Sequence, residues 1–161
     1  PDWHDGYEPL REEGYATRLE AAAAAAFIGR RTRGMTWSSD RLFCYVALSA
    51  AHAPFQAPPE TLERFAHLAE ADGSVGVRQA RAAMIAEVDA AVGVVLDALE
   101  EAGIADDTLV WFVGDNGAGP EQLDANRPWR GHKGTLYEGA LRVPAVVRWR
   151  KYVEGGRRID A

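Results

Sequence analysis

Leu109-Val110-Trp111-Phe112-Val113-Gly114-Asp115-Asn116 is the stretch on which the reading of this chain turns. It is a short apolar, β-branched and aromatic run, bounded by Asp106-Asp107 before it and Gly117 after it. Such a run is too short for a helix and predicts a strand buried on both faces. Strands of that kind belong to parallel sheets covered by helices. In open α/β sheets ligands sit beyond the carboxyl ends of the strands, and this strand delivers Asp115 and Asn116 there. The two oxygen-bearing side chains make a candidate metal site. Asn116-Gly117 is equally the dipeptide of a two-residue hairpin turn, so locally both readings stand.

The residues after the turn weigh on that choice. A polar loop, Pro120 to Arg127, leads into Pro128-Trp129-Arg130-Gly131-His132-Lys133-Gly134-Thr135-Leu136-Tyr137-Glu138-Gly139-Ala140-Leu141-Arg142-Val143-Pro144. This run has no hydrophobic period and is dense in glycine, cations and hydroxyls. Glycines let backbone approach a ligand closely, and Lys, Arg and His supply charge for an anion.

Composition sets the outer bounds. A chain of 161 residues with 47% hydrophobic content can bury a core, with one domain as the default. A formal net charge of -6 argues against nucleic acid as partner. No apolar run is long enough to span a bilayer. The single cysteine, Cys44, excludes an intrachain disulfide. With no initiator Met and no signal-like segment, the sequence reads as a piece of a longer protein.

In chain order, Pro1 to Gly14 is expected to be loop, with His4 solvated. The alanine-rich segment from Thr17 predicts a helix ending near Gly29 or Gly34. Leu42 to Ser49 is a second buried-strand candidate, holding Cys44 as a structural thiol. His52 follows it in a proline-punctuated loop, where an α/β fold places its chemistry. Glu60 to Glu70 reads as a short helix carrying a surface or interface His67. Val77, Ala80, Met84, Val88, Ala91, Val95 and Leu99 recur at helical spacing, with Arg78, Arg81, Glu87 and Asp97 falling elsewhere. Gly103 should stop that helix, with Ile104 making the hydrophobic contact of the cap. Val143 to Trp149 reads as an edge or terminal strand. The order of helices and strands suits an α/β layered sheet with helices on both faces.

Three segments together resemble the type I sulfatases. Ser49-Ala50-Ala51-His52-Ala53-Pro54-Phe55-Gln56-Ala57-Pro58 resembles their "PHxPxxxP" region, and Phe112 to Gly117 their "SDNG" metal strand. Trp129 to Pro144 is similar to their "RGxKxTxxEGGxRVP" signature. The resemblance covers nearly the whole chain and implies a sulfatase/alkaline-phosphatase-like fold, present here as the middle to late part of one catalytic domain. It implies that Asp115 and Asn116 are ligands of a divalent cation, usually Ca²⁺, as befits hard oxygen donors. Lys133 would contact the sulfate. His52 would be a hydrogen-bond donor or general acid, since imidazole, with an unperturbed pKa of about 6.5, can protonate a departing alkoxide. Arg130, Glu138 and Arg142 match the signature as structural ion-pair partners.

The same resemblance implies a formylglycine nucleophile made from C/S-x-P-S-R, with an Asp-Asp pair before it. C/S-x-P-S-R does not occur in these 161 residues, where Cys44 is followed by Tyr45-Val46-Ala47-Leu48, so no Asp-Asp pair stands before such a motif here. The expected activity is therefore sulfate-monoester hydrolysis by a domain whose nucleophile segment and carboxyl-terminal subdomain lie outside the chain, the isolated chain being inactive. A sulfated small molecule or glycan is the implied substrate, and a periplasmic, secreted or lysosomal setting is implied. Two other readings stay open: a phosphodiesterase or phosphonate hydrolase of the same superfamily, and a non-catalytic fragment or sulfated-glycan binding module.

Overall fold

Alanine makes the first helix and also decides how it packs. The computed structural model describes residues 3–34 and 40–159. In it α1 runs Ala16–Thr32 and α3 runs Val77–Glu101, and the two pack along one another. Their shared seam is built from Ala21, Ala24 and Ile28 on one side and Ala80, Ala83, Met84, Ala91 and Leu99 on the other, all buried. Small side chains at the seam let the helix axes approach, and Ile28, only 1% exposed, fills the space they leave. The stop after α3 is as its sequence predicts. Gly103 takes φ +69, and its N–H donates to the Glu100 carbonyl at 2.9 Å, while that of Ile104 donates to Leu99 at 3.0 Å. That pair of bonds is a Schellman motif, with Ile104 and Leu99 both buried beside it.

The polar face of α3 departs from expectation. Glu87 is 5% exposed. Arg18 of α1 grips it bidentately, Nε to Oε2 at 2.7 Å and the second amino group to Oε1 at 2.8 Å. The Thr61 hydroxyl also donates to Glu87, and Arg18 reaches Glu60 at 2.9 Å. Thr61 and Glu60 belong to α2, Pro59–Glu63, so one guanidinium ties three helices. Periodicity places a carboxylate on a face; it carries no information that an arginine 69 positions away turns that face inward.

Three expectations of local structure need correction. Within the expected amino-terminal loop, β1 (Trp3–Asp5) and β2 (Glu8–Leu10) form an antiparallel hairpin, while Pro1 and Asp2 lie outside the described residues. His4 is thus on a strand, across from Pro9. Residues 42–49 form no strand. They alternate between half-buried and exposed, Phe43 being 85% exposed, with no ladder among the described residues. Cys44 is half-buried there, and its partial burial pushes the thiol up from its ordinary value. Glu60 to Glu70 is likewise α2 followed by a separate 3₁₀ turn, Ala66–Leu68, that carries His67 on the surface.

The opening stretch does form a strand, β3 (Val110–Val113). Its partner is β4 (Ala145–Arg148), and the pairing is antiparallel, Val110 facing Arg148 and Val113 facing Ala145. Neither face is covered: Trp111 is 67% and Val146 59% exposed. The apolar composition states a demand for burial, and the described residues provide one strand neighbour and no covering helix. The described sheets are this pair and the β1–β2 hairpin.

The chain divides into two compact units, 1–104 and 105–161. His52 belongs to the first, and Asp115, Asn116 and Lys133 belong to the second. No helix among the described residues is long and apolar enough to cross a membrane.

Candidate functional site

In the first unit the His52 loop is moored to the start of α1. Glu20 accepts from the Ser49 N–H at 2.8 Å and from its hydroxyl, and the Thr17 hydroxyl accepts from the Ala50 N–H at 3.3 Å. Tyr15 donates to the Gln56 carbonyl at 3.1 Å. The imidazole itself is exposed. Its Nδ1 lies 2.7 Å from the Ala53 carbonyl oxygen, which accepts only, so Nδ1 carries a proton there. That contact fixes the ring through Nδ1 and leaves Nε2 as the nitrogen available for an exchangeable proton.

In the second unit the end of β3 is fixed by Gly114, whose N–H donates to Pro144 at 3.0 Å. Asp115 then curls back on its neighbour. Its Oδ1 accepts the Asn116 N–H at 2.9 Å and its Oδ2 accepts the Asn116 side-chain amide at 2.6 Å. Asp115 is exposed and Asn116 half-buried. The chain next passes under α4 (Glu138–Leu141), with the Gly117 N–H donating to Ala140 at 2.9 Å. A Cβ on Gly117 would stand 1.8 Å from the Gly139 carbonyl oxygen, so only glycine passes. The rival hairpin reading of Asn116-Gly117 is not what forms: no strand follows directly, and β4 lies beyond the whole glycine-rich run.

Lys133 is the second residue of a tight turn from His132 to Thr135. The Thr135 N–H donates to His132 at 3.0 Å, and Gly134 takes φ +88 at the position that needs it. The Thr135 hydroxyl closes the turn a second time, donating to the His132 carbonyl at 2.7 Å. The ammonium is exposed, and the lysine's own N–H donates to the Ala118 carbonyl at 3.0 Å. One backbone bond thus joins the lysine turn to the segment just after Asp115-Asn116. Glu138, the first residue of α4, forms an ion pair with Arg142 just past its end. Arg142 also stacks over Trp129 at 4.4 Å and Arg130 over Tyr137 at 4.1 Å, so both signature arginines rest on aromatic faces, and of the two Arg142 makes the ion pair.

Two participants take roles that the sequence pattern does not assign them. Asn126, 7% exposed, hydrogen-bonds Ala118 and Gly131. His132 turns its Nδ1 to the Lys133 carbonyl at 2.8 Å. An Asn-Arg-Pro in a polar loop reads as ordinary turn chemistry, and only the fold shows what its side chain spans.

As chemistry, the second unit presents one carboxylate and one amide oxygen at a strand end, in the same hydrogen-bonded unit as an exposed ammonium. The donor pair suits a hard cation in kind, yet it is two of the roughly six to eight oxygens that Ca²⁺ takes. Among the described residues no group of three or more His, Cys, Asp or Glu side chains is gathered to hold a metal.

The chain is 36% identical over 152 residues to mouse steryl-sulfatase, covering 89% of this chain and 22% of that protein. It is 31% identical over 149 residues to human N-acetylgalactosamine-6-sulfatase, covering 90% and 26%. The chain therefore spans about a quarter of the length of these curated relatives. Among solved structures, Ps i-CgsB superposes with a TM-score of 0.81 at 30% identity, over 94% of this chain and 32% of that one. The fold is accordingly part of the mixed α/β, alkaline-phosphatase-like architecture of sulfatases. The Sulfatase family model matches residues 10–155, and the chain belongs to the sulfatase family.

Proposed function

We propose that this chain carries part of the working site of a sulfuric ester hydrolase, acting on a sulfated small molecule or glycan. The observation that carries the reading is the Ala118–Lys133 bond, which ties an anion-binding cation to the oxygen pair at the end of β3. Asp115 and Asn116 would hold a divalent cation, Ca²⁺ by family resemblance, which would supply polarisation of the sulfuryl oxygens. The neutral amide of Asn116 keeps the charge facing an anionic ester lower than a second carboxylate would. Lys133 binds the sulfate and neutralises charge on its oxygens as the bond to the leaving group breaks. His52, oriented through Nδ1, gives the Nε2 proton of its imidazolium to the departing oxygen. The nucleophile implied by the resemblance, a formylglycine, lies outside these residues, so the isolated chain turns over nothing.

Support for a sulfated glycan comes from Ps i-CgsB, which was solved in complex with k-i-k-neocarrahexaose. A relative named for a steryl ester keeps small sulfated molecules within the class. A periplasmic, secreted or lysosomal setting goes with such substrates. The net charge of -6 fits no nucleic-acid role.

The test is aryl-sulfate hydrolysis by the natural polypeptide that carries this sequence. Chelation should abolish turnover, and Lys133→Ala should lower kcat/KM by about 10²–10³-fold, or about 2.7–4 kcal/mol of transition-state stabilisation. His52→Ala should slow esters of poor leaving groups more than activated ones. Preference for a phosphate diester over a sulfate ester would sink the reading, and turnover by the 161-residue chain alone would refute an external nucleophile.

A further inference from the structure

We infer that Asn126 is a positioning residue, a single amide that sets Lys133 against the metal strand; the inference rests on the sulfatase reading of Lys133. Its Oδ1 accepts the Ala118 N–H at 2.8 Å, and its Nδ2 donates to the Ala118 carbonyl at 3.1 Å and to the Gly131 carbonyl at 3.1 Å. One side chain thus clasps both backbone groups of Ala118, three residues beyond Asp115, and reaches the backbone two residues before Lys133. The Ala118 carbonyl also accepts the Lys133 N–H at 3.0 Å, so Ala118 is the node where strand end, clip and lysine turn meet.

The chemistry singles out asparagine. The site asks for one acceptor and two donors on a short stem, and a carboxamide has that inventory. Aspartate would accept from Ala118 but turn a second acceptor oxygen on two carbonyls, and alanine would take their partner from the Ala118 N–H and the Gly131 carbonyl and leave the Ala118 carbonyl with the Lys133 N–H alone. The amide is more than nine-tenths buried, so water does not stand in easily. Asn126 has its own anchor in turn, because its carbonyl accepts the Trp129 N–H at 2.9 Å, which holds the loop end from which the clip reaches.

What the clip fixes is relative placement. Without it, Lys133 keeps its own turn, closed by Thr135, but the three bonds that link Ala118 to Gly131 through the clip are gone, and the Lys133 N–H to Ala118 bond alone registers the turn. An ångström of slack between a cation and the anion it neutralises is enough to cost a large part of its effect.

Amide hydrogen exchange and inorganic-sulfate titration, both followed by NMR on the 161-residue chain, test this. In Asn126→Ala and Asn126→Asp the amides of Ala118 and Lys133 should lose protection at least about tenfold while those of β3 and β4 keep theirs. Sulfate affinity, read at Lys133, should fall several-fold in Asn126→Ala and fall no further when that change is added to Lys133→Ala. Unchanged protection at Lys133, or protection lost through the whole of 105–159, would overturn the clip. Effects of the two substitutions that multiply independently would overturn positioning through Lys133. A wild-type chain that shows the clip by exchange but no sulfate response at Lys133 would overturn the anion-binding reading instead, separating that failure from the first.

Discussion

The α1–α3 helix pair and the β3–β4 ribbon are both apolar by sequence, and they meet opposite fates. Along the helices the apolar stripe finds a facing stripe, and Ala24, Ala83 and Leu99 vanish from solvent. On the ribbon, Trp111, Phe112, Val113, Val146 and Val147 all remain exposed. The helix pair even buries a carboxylate, because it brings the arginine that the carboxylate needs. Stability in this chain therefore resides where partners are supplied in sequence, and composition alone does not say where that is.

The sharpest way to break the contrast is to remove a partner from the helix side. Arg18→Ala leaves the Glu87 carboxylate buried with only Thr61 to serve it, and stranding a buried charge is costly. Because the Arg18 side chain is itself half-exposed, the expected loss is about 2–3 kcal/mol rather than the upper values for fully buried pairs. Thermal unfolding followed by far-UV circular dichroism would read it. Glu87→Gln should cost less, since Arg18 can turn to Glu60 and to water. Equal losses for the two substitutions would mean that Glu87 is not the stranded partner.

A smaller effect follows from protonation. The Arg18 guanidinium, ahead of the Thr61 hydroxyl, holds the Glu87 carboxyl below its ordinary range against the opposing pull of burial. A depressed carboxyl contributes stability that is complete above its unfolded value of about 4.3 and is lost as pH falls through the folded value. Between the two the unfolded chain holds the extra proton, so stability rises with pH there, by at most about 1.4 kcal/mol per pH unit for this one group. Comparing wild type with Glu87→Gln across pH 2.5–5.5 should show a shallower decline in the variant. Parallel curves would assign acid sensitivity to other carboxylates.

How much of this was legible follows the same division. The alanine run before Phe27-Ile28 and the period from Ala80 to Leu99 specify their helices, because helix propensity and seam are properties of the segment itself. Gly103 and Ile104 specify the stop for the same reason. Leu109 to Val113 states that a strand exists but not its neighbour or direction, since pairing partners are distant in sequence. Residues 42–49 show the limit of that logic: they have a strand's alternation of burial without a ladder. The β1–β2 hairpin escaped because its strands have three residues each, and its signal was the Gly6-Tyr7 pair, with Gly6 at φ +62. In the candidate site, Asp115, Asn116, Lys133 and His52 stand out by motif, whereas Asn126 acts through three backbone contacts that no local pattern encodes.

The smallest expected effect on stability sharpens the ribbon side. Trp111 lies across from Val147 and Phe112 across from Val146, so alternation turns one aromatic to each face. Trp111→Thr keeps a β-branched strand former while deleting an exposed aromatic surface. With little burial to lose, unfolding should shift by no more than about 0.5 kcal/mol. Binding of a hydrophobic dye and concentration-dependent association should both fall, because large exposed apolar patches invite contact. A loss above about 2 kcal/mol would show that the indole is covered in solution and erase the contrast with the helices. A small loss with reduced association would show instead that the apolar code of β3 is written for neighbours that residues 3–34 and 40–159 do not supply.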